Sequence, residues 1–195
     1  MDYQERSDEV LVAEARSAPA GDHRAFQVLV ERHQEDLLAD SRYLTGSPDD
    51  AEDLTQEVFV KIFFSLRSFA GRSQFKTWAR RIKINHCLNF IRKRKGKSFL
   101  DVDAPEVQAS EELHAPARGD AEAMRHDDRE KIRAVLDSMS DTLRVPLILC
   151  DMDGLSYQEA ADQLGIGLSA LKMRLKRARE HFRSRHETGG REEGP

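Results

Sequence analysis

Apolar residues recur at intervals of three and four along most of this chain, and that spacing restricts the fold to helices. One stripe follows Phe26 at positions i+3, i+4, i+7 and i+11, and another advances in steps of four from Leu54 to Leu66. This periodicity places apolar side chains on one face of an α-helix. Since no segment alternates with period two for long enough to form a strand, we predict an all-α fold.

Two helical blocks are separated by a segment that has no periodicity. Residues 98–128 contain Pro105, Pro116 and Gly119 among scattered alanines, serines and acids, a composition typical of a linker. We therefore predict two small helical domains joined by a flexible acidic linker and flanked by disordered ends. The predicted boundaries are 1–6 for the N-terminal end, 7–97 and 129–185 for the two domains, and 186–195 for the tail.

Charge is distributed unevenly along the chain. The formal net charge of −4 argues against a nucleic-acid ligand. However, residues 71–100 hold ten Lys or Arg and no acid, and residues 172–185 hold seven bases and one acid. Residues 101–130 between them hold ten acids and three arginines. Two basic segments around an acidic one favour two contact points on a polyanion, the alternative being two solvated helix faces.

Several classes of protein are excluded by composition. No run approaches the roughly 18 apolar residues that span a bilayer, and the N-terminus lacks the basic and apolar parts of a secretory signal. Cys87 and Cys150 are the two cysteines, too few for a disulfide scaffold or a Cys-only zinc site. We expect a cytoplasmic protein without membrane insertion or cofactor. A role of the two thiols in sensing oxidation stays open.

The most specific local motif lies between Tyr157 and Lys176. Ser156 and Glu159 have the spacing of a capping box, which starts a helix. Ala161 is followed by Gly165 four residues later and by an apolar leucine after six more. A helix-turn-helix needs a small residue at the helix crossing, a glycine in the turn and an apolar anchor on the second helix. We predict this motif, the alternative being an ordinary αα-hairpin.

The second helix of this motif has two distinct faces. Its apolar stripe is predicted to pack against the preceding helices and comprises Leu171, Leu175, Ala178 and Phe182. The opposite face carries hydrogen-bond donors and one flexible apolar side chain, which suits base edges in a major groove. Its members are Ser169, Lys172, Met173, Lys176 and Arg177. The arginines toward the helix end are expected to contact phosphates, namely Arg179, Arg183 and Arg185.

A helix starting near Asp49 is predicted to present an acidic face. That face carries Asp49, Asp53, Gln56 and Glu57, while the other side of the helix is apolar. Such a surface repels DNA and fits a basic protein surface. Paired carboxylates also suit a metal or an acid–base site, but this segment has no histidine and no Gly-rich phosphate loop accompanies it.

The third long helix is predicted to have a polar face suited to bases as well as phosphates. Spacings of four, four and three place four side chains on that face, namely Arg81, Asn85, Asn89 and Arg92. The segment before it, 69–78, interleaves aromatic and basic residues, as in stacking platforms for unpaired bases. Within it Trp78 is assigned to the core and Phe75 is left undecided between the two roles. His86 and Cys87 lack further ligands nearby, so we expect them to be structural.

These segments, taken in order, resemble the extracytoplasmic-function (ECF) sigma factors of the bacterial sigma-70 family. The residues that carry the resemblance are DDAEDLTQEVFVK, FAGRSQFKTWARRIKINHCLNFIRKRK and DGLSYQEAADQLGIGLSALKMRLKRAREHF. It extends from about Ser7 to Arg183 and leaves out the linker and the tail.

The resemblance implies a fold and a set of partners. It implies a −10-binding domain, a linker that threads through RNA polymerase and a −35-binding helix-turn-helix domain, with no catalytic chemistry. The acidic helix would dock on the β′ coiled coil of core RNA polymerase through Asp53, Gln56 and Glu57. The β subunit of the polymerase is a further expected partner. An anti-sigma factor, frequently membrane-bound, would hold the protein inactive.

The resemblance also assigns DNA contacts. Capture of the unpaired −10 strand would fall to Phe75, Lys76, Asn85 and Asn89. The −35 duplex would be read by Lys172, Met173, Lys176 and Arg177. The recognition helix departs from the family, because residues 169–174 read SALKMR where many members have GTVKSR. We therefore expect a different −35 sequence.

Three further expectations concern the second domain and the function. Ala160 replaces a larger aliphatic residue of the family, which predicts looser packing. Pro146 lies within a helical run, where it would kink a helix or mark its first turn. A stand-alone DNA-binding regulator is the alternative function; it would not need the acidic helix. No motif supports an enzyme that acts on nucleic acid.

Overall fold

The computed structural model describes residues 3–95 and 126–189. Every regular element within these ranges is a helix, so the all-α prediction is confirmed. The helices are α1 (Asp8–Ser17), α2 (Arg24–Thr45), α3 (Pro48–Ser65), α4 (Phe75–Lys95), α5 (His126–Asp137), α6 (Asp141–Leu147), α7 (Tyr157–Leu164) and α8 (Leu168–Gly189). A 3₁₀ turn, Leu66–Ser68, follows α3, and a π-helical turn, Ile148–Met152, follows α6.

The predicted boundaries agree with this structure only in part. The chain divides into two compact units, Met1–Asn89 and Phe90–Pro195. Most of the predicted linker (residues 98–125) and residues 190–195 of the predicted tail lie outside the described residues. The prediction that residues 186–189 are disordered is wrong, because α8 continues to Gly189. No helix breaker precedes the glycine pair at 189–190, so nothing in the sequence ends the helix earlier.

The core of the first unit is formed by the predicted apolar stripes. Leu54, Val58, Ile62 and Leu66 are all buried, as their spacing indicated. On α2 the stripe contributes Leu29, His33 and Leu37, which are also buried. Further buried residues from α1, the 3₁₀ turn and α4 complete a single apolar cluster. This core leaves the opposite sides of α3 and α4 available to other molecules.

The second unit contains the predicted helix-turn-helix. The Ser156 hydroxyl accepts the Glu159 N–H at 3.2 Å, and the Glu159 carboxylate accepts the Ser156 N–H at 3.0 Å, which completes the capping box. Gly165 ends α7 with φ of 68°, a left-handed conformation that favours glycine. Ala161 is buried where α7 packs on α8. These local features turn the chain directly into the second helix of the motif.

Pro146 lies in the interior of α6, not in its first turn. The π-helical turn begins two residues after Pro146. Gly154, which follows that turn, has a left-handed backbone with φ of 72°. Proline cannot donate the hydrogen bond that an α-helix requires at that position, which fits an irregular end to this helix. The irregular turn carries Cys150 and Asp151 toward α7 and α8.

Candidate protein and nucleic-acid interfaces

The acidic face of α3, formed by Asp49, Asp53, Gln56 and Glu57, is exposed along its whole length. The helix starts at a Ser-Pro pair, in which the Ser47 hydroxyl accepts the Asp50 N–H at 3.3 Å and Pro48 occupies the first turn. Carboxylates in the first turn are stabilised by the positive end of the helix dipole. Because the apolar side of α3 is buried, its four polar side chains project outward together, as predicted.

One member of the acidic face has a partner within the fold. Glu57 Oε2 lies 2.5 Å from Nε2 of His86 on α4. The Glu57 side chain is 62% exposed and that of His86 only 16% exposed, so the pair lies at the edge of the α3–α4 contact. This contact orients the Glu57 carboxylate and joins the acidic face to α4. Cys87 is buried, as expected, and His86 is partly buried at this contact.

The polar face of α4 is largely exposed, as predicted. Arg81, Asn85 and Asn89 are exposed, whereas Arg92 is partly buried. Two amides therefore stand next to a cation on one accessible face. Amides and guanidinium groups offer the donors and acceptors that pair with base edges.

The opposite side of α4 uses its bases for ion pairs with α2. Lys76 Nζ lies 2.7 Å from Asp36, and both Arg80 Nε and Lys83 Nζ lie 3.3 Å from Asp40. Lys83 is fully buried. Desolvation acts to raise the pKa of Asp36, but the hydrogen bond from Lys76 and the neighbouring cations outweigh it, and the pKa lies below its usual value. Arg80 and Lys83 are thus held within the fold, whereas the pair between Lys76 and Asp36 is exposed on both sides, at 48% and 54%.

The prediction that Phe75 contacts unpaired bases is wrong. Its side chain is 1% exposed and its ring lies between those of His33, Phe69 and Trp78, at centroid distances of 5.3, 6.5 and 6.0 Å. Phe75 opens α4 and shares a face with Trp78 and Ala79, at spacings of three and four. That spacing is the signal in the sequence that favours the core over the stacking role. The assignment of Trp78 to the core is confirmed.

The outer face of α8 is accessible at every predicted position. Ser169, Lys176 and Arg177 are exposed, and Lys172 and Met173 are partly exposed. On the other side Leu171, Leu175 and Ala178 are buried, as predicted. The helix therefore packs through its apolar stripe and presents its donors outward, in the order that the sequence indicated.

Arg179 is occupied within the second unit, which corrects its prediction as a phosphate contact. Its Nε and Nη2 donate to the two carboxylate oxygens of Asp151 at 2.9 and 2.6 Å, and Nη1 and Nη2 donate to the Tyr157 hydroxyl at 3.2 Å. The hydrogen bonds to Asp151 raise the pKa of Arg179 above its usual value, so it stays charged. This cluster joins α8 to the π-helical turn and to α7. Sequence reasoning missed Asp151 because no local pattern connects residues 28 positions apart.

The two cysteines are poorly placed for redox chemistry. Both cysteines are buried, and burial raises the pKa of the Cys150 thiol to about 12, with a further contribution from the charge of Asp151. A protonated thiol is a poor nucleophile, which argues against oxidation sensing by Cys150.

Among the described residues no group of three or more His, Cys, Asp or Glu is arranged to hold a metal ion. None of the described helices has the length and apolar character to cross a membrane.

Comparison with known proteins assigns these two units to a family. The family model for "Sigma-70 region 2" matches residues 29–97, and the family model for "Sigma-70, region 4" matches residues 129–182. The ECF RNA polymerase sigma-E factor of Escherichia coli K12 is 32% identical over 179 residues, which cover 89% of this chain and 91% of that protein. The chain belongs to the ECF sigma factors of the sigma-70 family. The expected resemblance is therefore confirmed.

Other relatives agree with this assignment. The ECF RNA polymerase sigma factor SigE of Mycolicibacterium smegmatis is 33% identical over 187 residues, covering 93% of this chain and 70% of that protein. Two solved structures have TM-scores of 0.52: CnrH in complex with the cytosolic domain of CnrY, at 25% identity, and RpoE of Bartonella quintana in complex with the anti-sigma factor NepR, at 26% identity. They cover 91% and 83% of this chain and 95% and 96% of their own chains.

Family membership gives the protein its role in transcription. Sigma factors are transcription factors rather than enzymes: they associate with RNA polymerase and direct it to promoters. The region 2 match contains the acidic face and α4, and the region 4 match contains the helix-turn-helix. This ECF sigma factor therefore carries its two candidate DNA-binding surfaces in the two matched regions.

Proposed function

We propose that this sigma factor docks on the β′ coiled coil of core RNA polymerase through the acidic face of α3. The supporting observation is that four exposed polar side chains, three of them carboxylic acids, share one side of a helix whose other side is buried. Such a surface repels DNA and attracts a basic protein surface. The contact between Glu57 and His86 holds one of these carboxylates in place before docking.

The polar face of α4 is proposed to capture the unpaired strand of the −10 element. Asn85 and Asn89 supply amides for base edges, and Arg81 supplies an exposed cation. Lys76 is a candidate phosphate contact because its side chain is 48% exposed beside Asp36. Flipping a base out of the duplex costs on the order of a few kcal/mol. Contacts between the protein and the flipped base offset this cost.

The outer face of α8 is proposed to read the −35 duplex. Lys172, Lys176 and Arg177 supply donors and positive charge for bases and phosphates. Met173 supplies an apolar contact that suits the methyl group of thymine. The corresponding domains are region 2 at residues 7–97 and region 4 at residues 129–185.

We also propose regulation by an anti-sigma factor. CnrH and RpoE, which this chain resembles along most of its length, were solved in complex with CnrY and NepR. The proposed place of action is the cytoplasm, where bacterial RNA polymerase transcribes the chromosome. No cofactor is proposed.

The docking proposal is tested by co-purification with bacterial core polymerase at moderate salt. We expect the wild-type chain to form a stoichiometric complex and Glu57→Lys to lose it, because a cation then faces a basic surface. Glu35→Lys, on an exposed position of α2, is the matched control and should bind like wild type. A chain that binds duplex DNA tightly but not polymerase would be a stand-alone regulator, and the proposal would fall.

The −10 proposal is tested by permanganate footprinting of open complexes on the cognate promoter. Asn85→Ala should reduce the melted fraction while polymerase binding stays unchanged, since Asn85 lies outside the acidic face. Gln34→Ala, also exposed, is the control. Equal melting by Asn85→Ala and wild type would remove this residue from the assignment.

A further inference from the structure

The exposed side of α3 continues beyond the acidic face with two apolar residues. Val60 and Phe64 are 55% and 77% exposed, and Phe64 has the largest exposed fraction of any large apolar side chain in the part of the chain that the structure describes. Exposed apolar residues are ordinary when they are scattered, but a phenylalanine this accessible on a rigid helix is unusual. Its position next to the acidic face indicates that the two belong to one binding surface.

Val60 and Phe64 lie on the same stripe as the acidic face. Counting from Asp53, the stripe advances through Glu57 and Val60 to Phe64, in steps of four, three and four. Residues so spaced lie above one another on a helix surface. At a rise of about 1.5 Å per residue the stripe is about 16 Å long. One half of it is acidic and the other half is apolar.

A neighbouring ring supports Phe64. The ring of Phe63 lies 5.6 Å from that of Phe64, and it also packs edge-on against Phe26 at 5.1 Å and His23 at 5.2 Å. Phe63 thus connects Phe64 to α2. A side chain supported in this way loses little conformational freedom when a partner covers it.

We propose that Val60 and Phe64 form an apolar anchor, continuous with the acidic face, that docks on the same polymerase surface. This inference rests on the proposed docking function and adds to it. The partner would be a basic helical surface that carries an apolar patch about two helical turns beyond its cations. Apolar anchors surrounded by polar residues dominate the energy of many protein interfaces.

The charge pattern argues against other occupants of the stripe. A second copy in antiparallel, two-fold arrangement would place Phe64 against the carboxylates of the other copy, which lose their hydration there. A parallel arrangement would oppose like charges. DNA and anionic lipid surfaces are repelled by the carboxylates. A basic protein surface is the occupant that satisfies both halves.

The test separates the two halves of the stripe by their dependence on salt. Ion pairs at an exposed interface weaken as salt increases, whereas apolar burial does not. We measure the affinity of the full chain for core polymerase over a series of NaCl concentrations, for wild type, Phe64→Ser, Glu57→Gln and Val10→Ser. Val10 is an apolar residue of α1 that is 46% exposed, so its variant is the matched control.

The expected pattern is distinct for each variant. Phe64→Ser should weaken binding about tenfold or more at every salt concentration, without changing the salt slope. Glu57→Gln should reduce the slope, and Val10→Ser should bind like wild type. If wild type binds and Phe64→Ser binds equally well, the anchor is refuted while docking stands. If Phe64→Ser instead abolishes a dimer of the free chain, the occupant is a second copy and the inference is overturned.

Failure of the underlying function has a different signature. A wild-type chain that does not bind core polymerase at any salt concentration would refute docking itself, and the anchor with it. Circular dichroism of Phe64→Ser should match wild type, because its side chain is mostly in solvent. Phe64→Leu should retain most of the affinity, since it keeps an apolar surface.

Discussion

Helices α4 and α8 are both rich in Lys and Arg, but the structure uses their charges differently. On α4 Arg80 and Lys83 face Asp40 of α2, and the exposed face carries two asparagines with Arg81. On α8 Lys176 and Arg177 are exposed, and Arg179 is held by Asp151. The difference teaches that a basic run indicates nucleic-acid contact only after the bases that pair within the fold are subtracted. The exposed amides of α4 agree with its proposed contact with unpaired bases, and the exposed cations of α8 agree with its proposed contact with a duplex.

The largest effect on stability is expected at the ion pair between Lys83 of α4 and Asp40 of α2. Asp40→Asn removes a carboxylate from the fully buried Lys83 and should lower the free energy of unfolding by about 3–5 kcal/mol. Urea denaturation of the full chain measures this. The double variant Asp40→Asn with Lys83→Met removes both charges of the buried pair and should recover part of the loss, since Arg80 still lacks the Asp40 carboxylate. A single variant as stable as wild type would show that this ion pair does not hold α4.

The next effect concerns the cluster that positions α8. Asp151→Asn removes the charge that binds the Arg179 guanidinium and should lower affinity for the cognate −35 duplex about tenfold, with a smaller ratio between cognate and altered sites. The measurement is fluorescence anisotropy with the polymerase complex. A role in stability alone would reduce the active fraction and leave that ratio unchanged. Tyr157→Phe should show the same change more weakly.

A smaller effect separates the two helices by their salt dependence. Lys176→Ala should weaken −35 binding on all sequences and reduce the slope of log K against log salt by about one, as expected for one lost phosphate contact. Asn85→Ala should reduce promoter melting and leave the slope unchanged. Equal slopes for Lys176→Ala and wild type would mean that Lys176 does not contact phosphate.

The smallest effect is expected at the thiols. Because burial raises the pKa of Cys150 to about 12, its thiol should stay unreactive toward iodoacetamide at pH 8 in the native chain and react after unfolding. The neutral thiol is the native form, so the linked contribution to stability is present below pH 9 and disappears as pH rises through 12. Mass spectrometry of alkylated protein checks this. Rapid native labelling of Cys150 would reopen a redox role.

Local spacing explains most of what could be read in advance. The capping box at Ser156, the turn at Gly165, the apolar stripe of α3 and the exposure of its acidic face all depend on residues within about four positions of one another. Such neighbours meet on any helix, so their pattern in the chain predicts their arrangement in space. The assignment to the sigma-70 family followed from these motifs and their order.

Most of the errors came from contacts between distant residues. Phe75 is in part an exception, because its ring packs on Phe69 and Trp78, which are near in the chain, as well as on His33 of another helix. Lys83 and Asp40 are 43 positions apart, and Arg179 and Asp151 are 28 apart. No periodicity records such pairs.

The sequence by itself therefore determined the helices, the helix-turn-helix and the acidic face, because each depends on local geometry. The tertiary structure decided which charges remain available to a partner, because burial and ion pairing depend on which helices meet. It neutralised part of the basic run on α4, withdrew Arg179 from the DNA-facing set, and left Phe64 exposed at the end of the acidic stripe. Each of these outcomes is a matter of packing between helices.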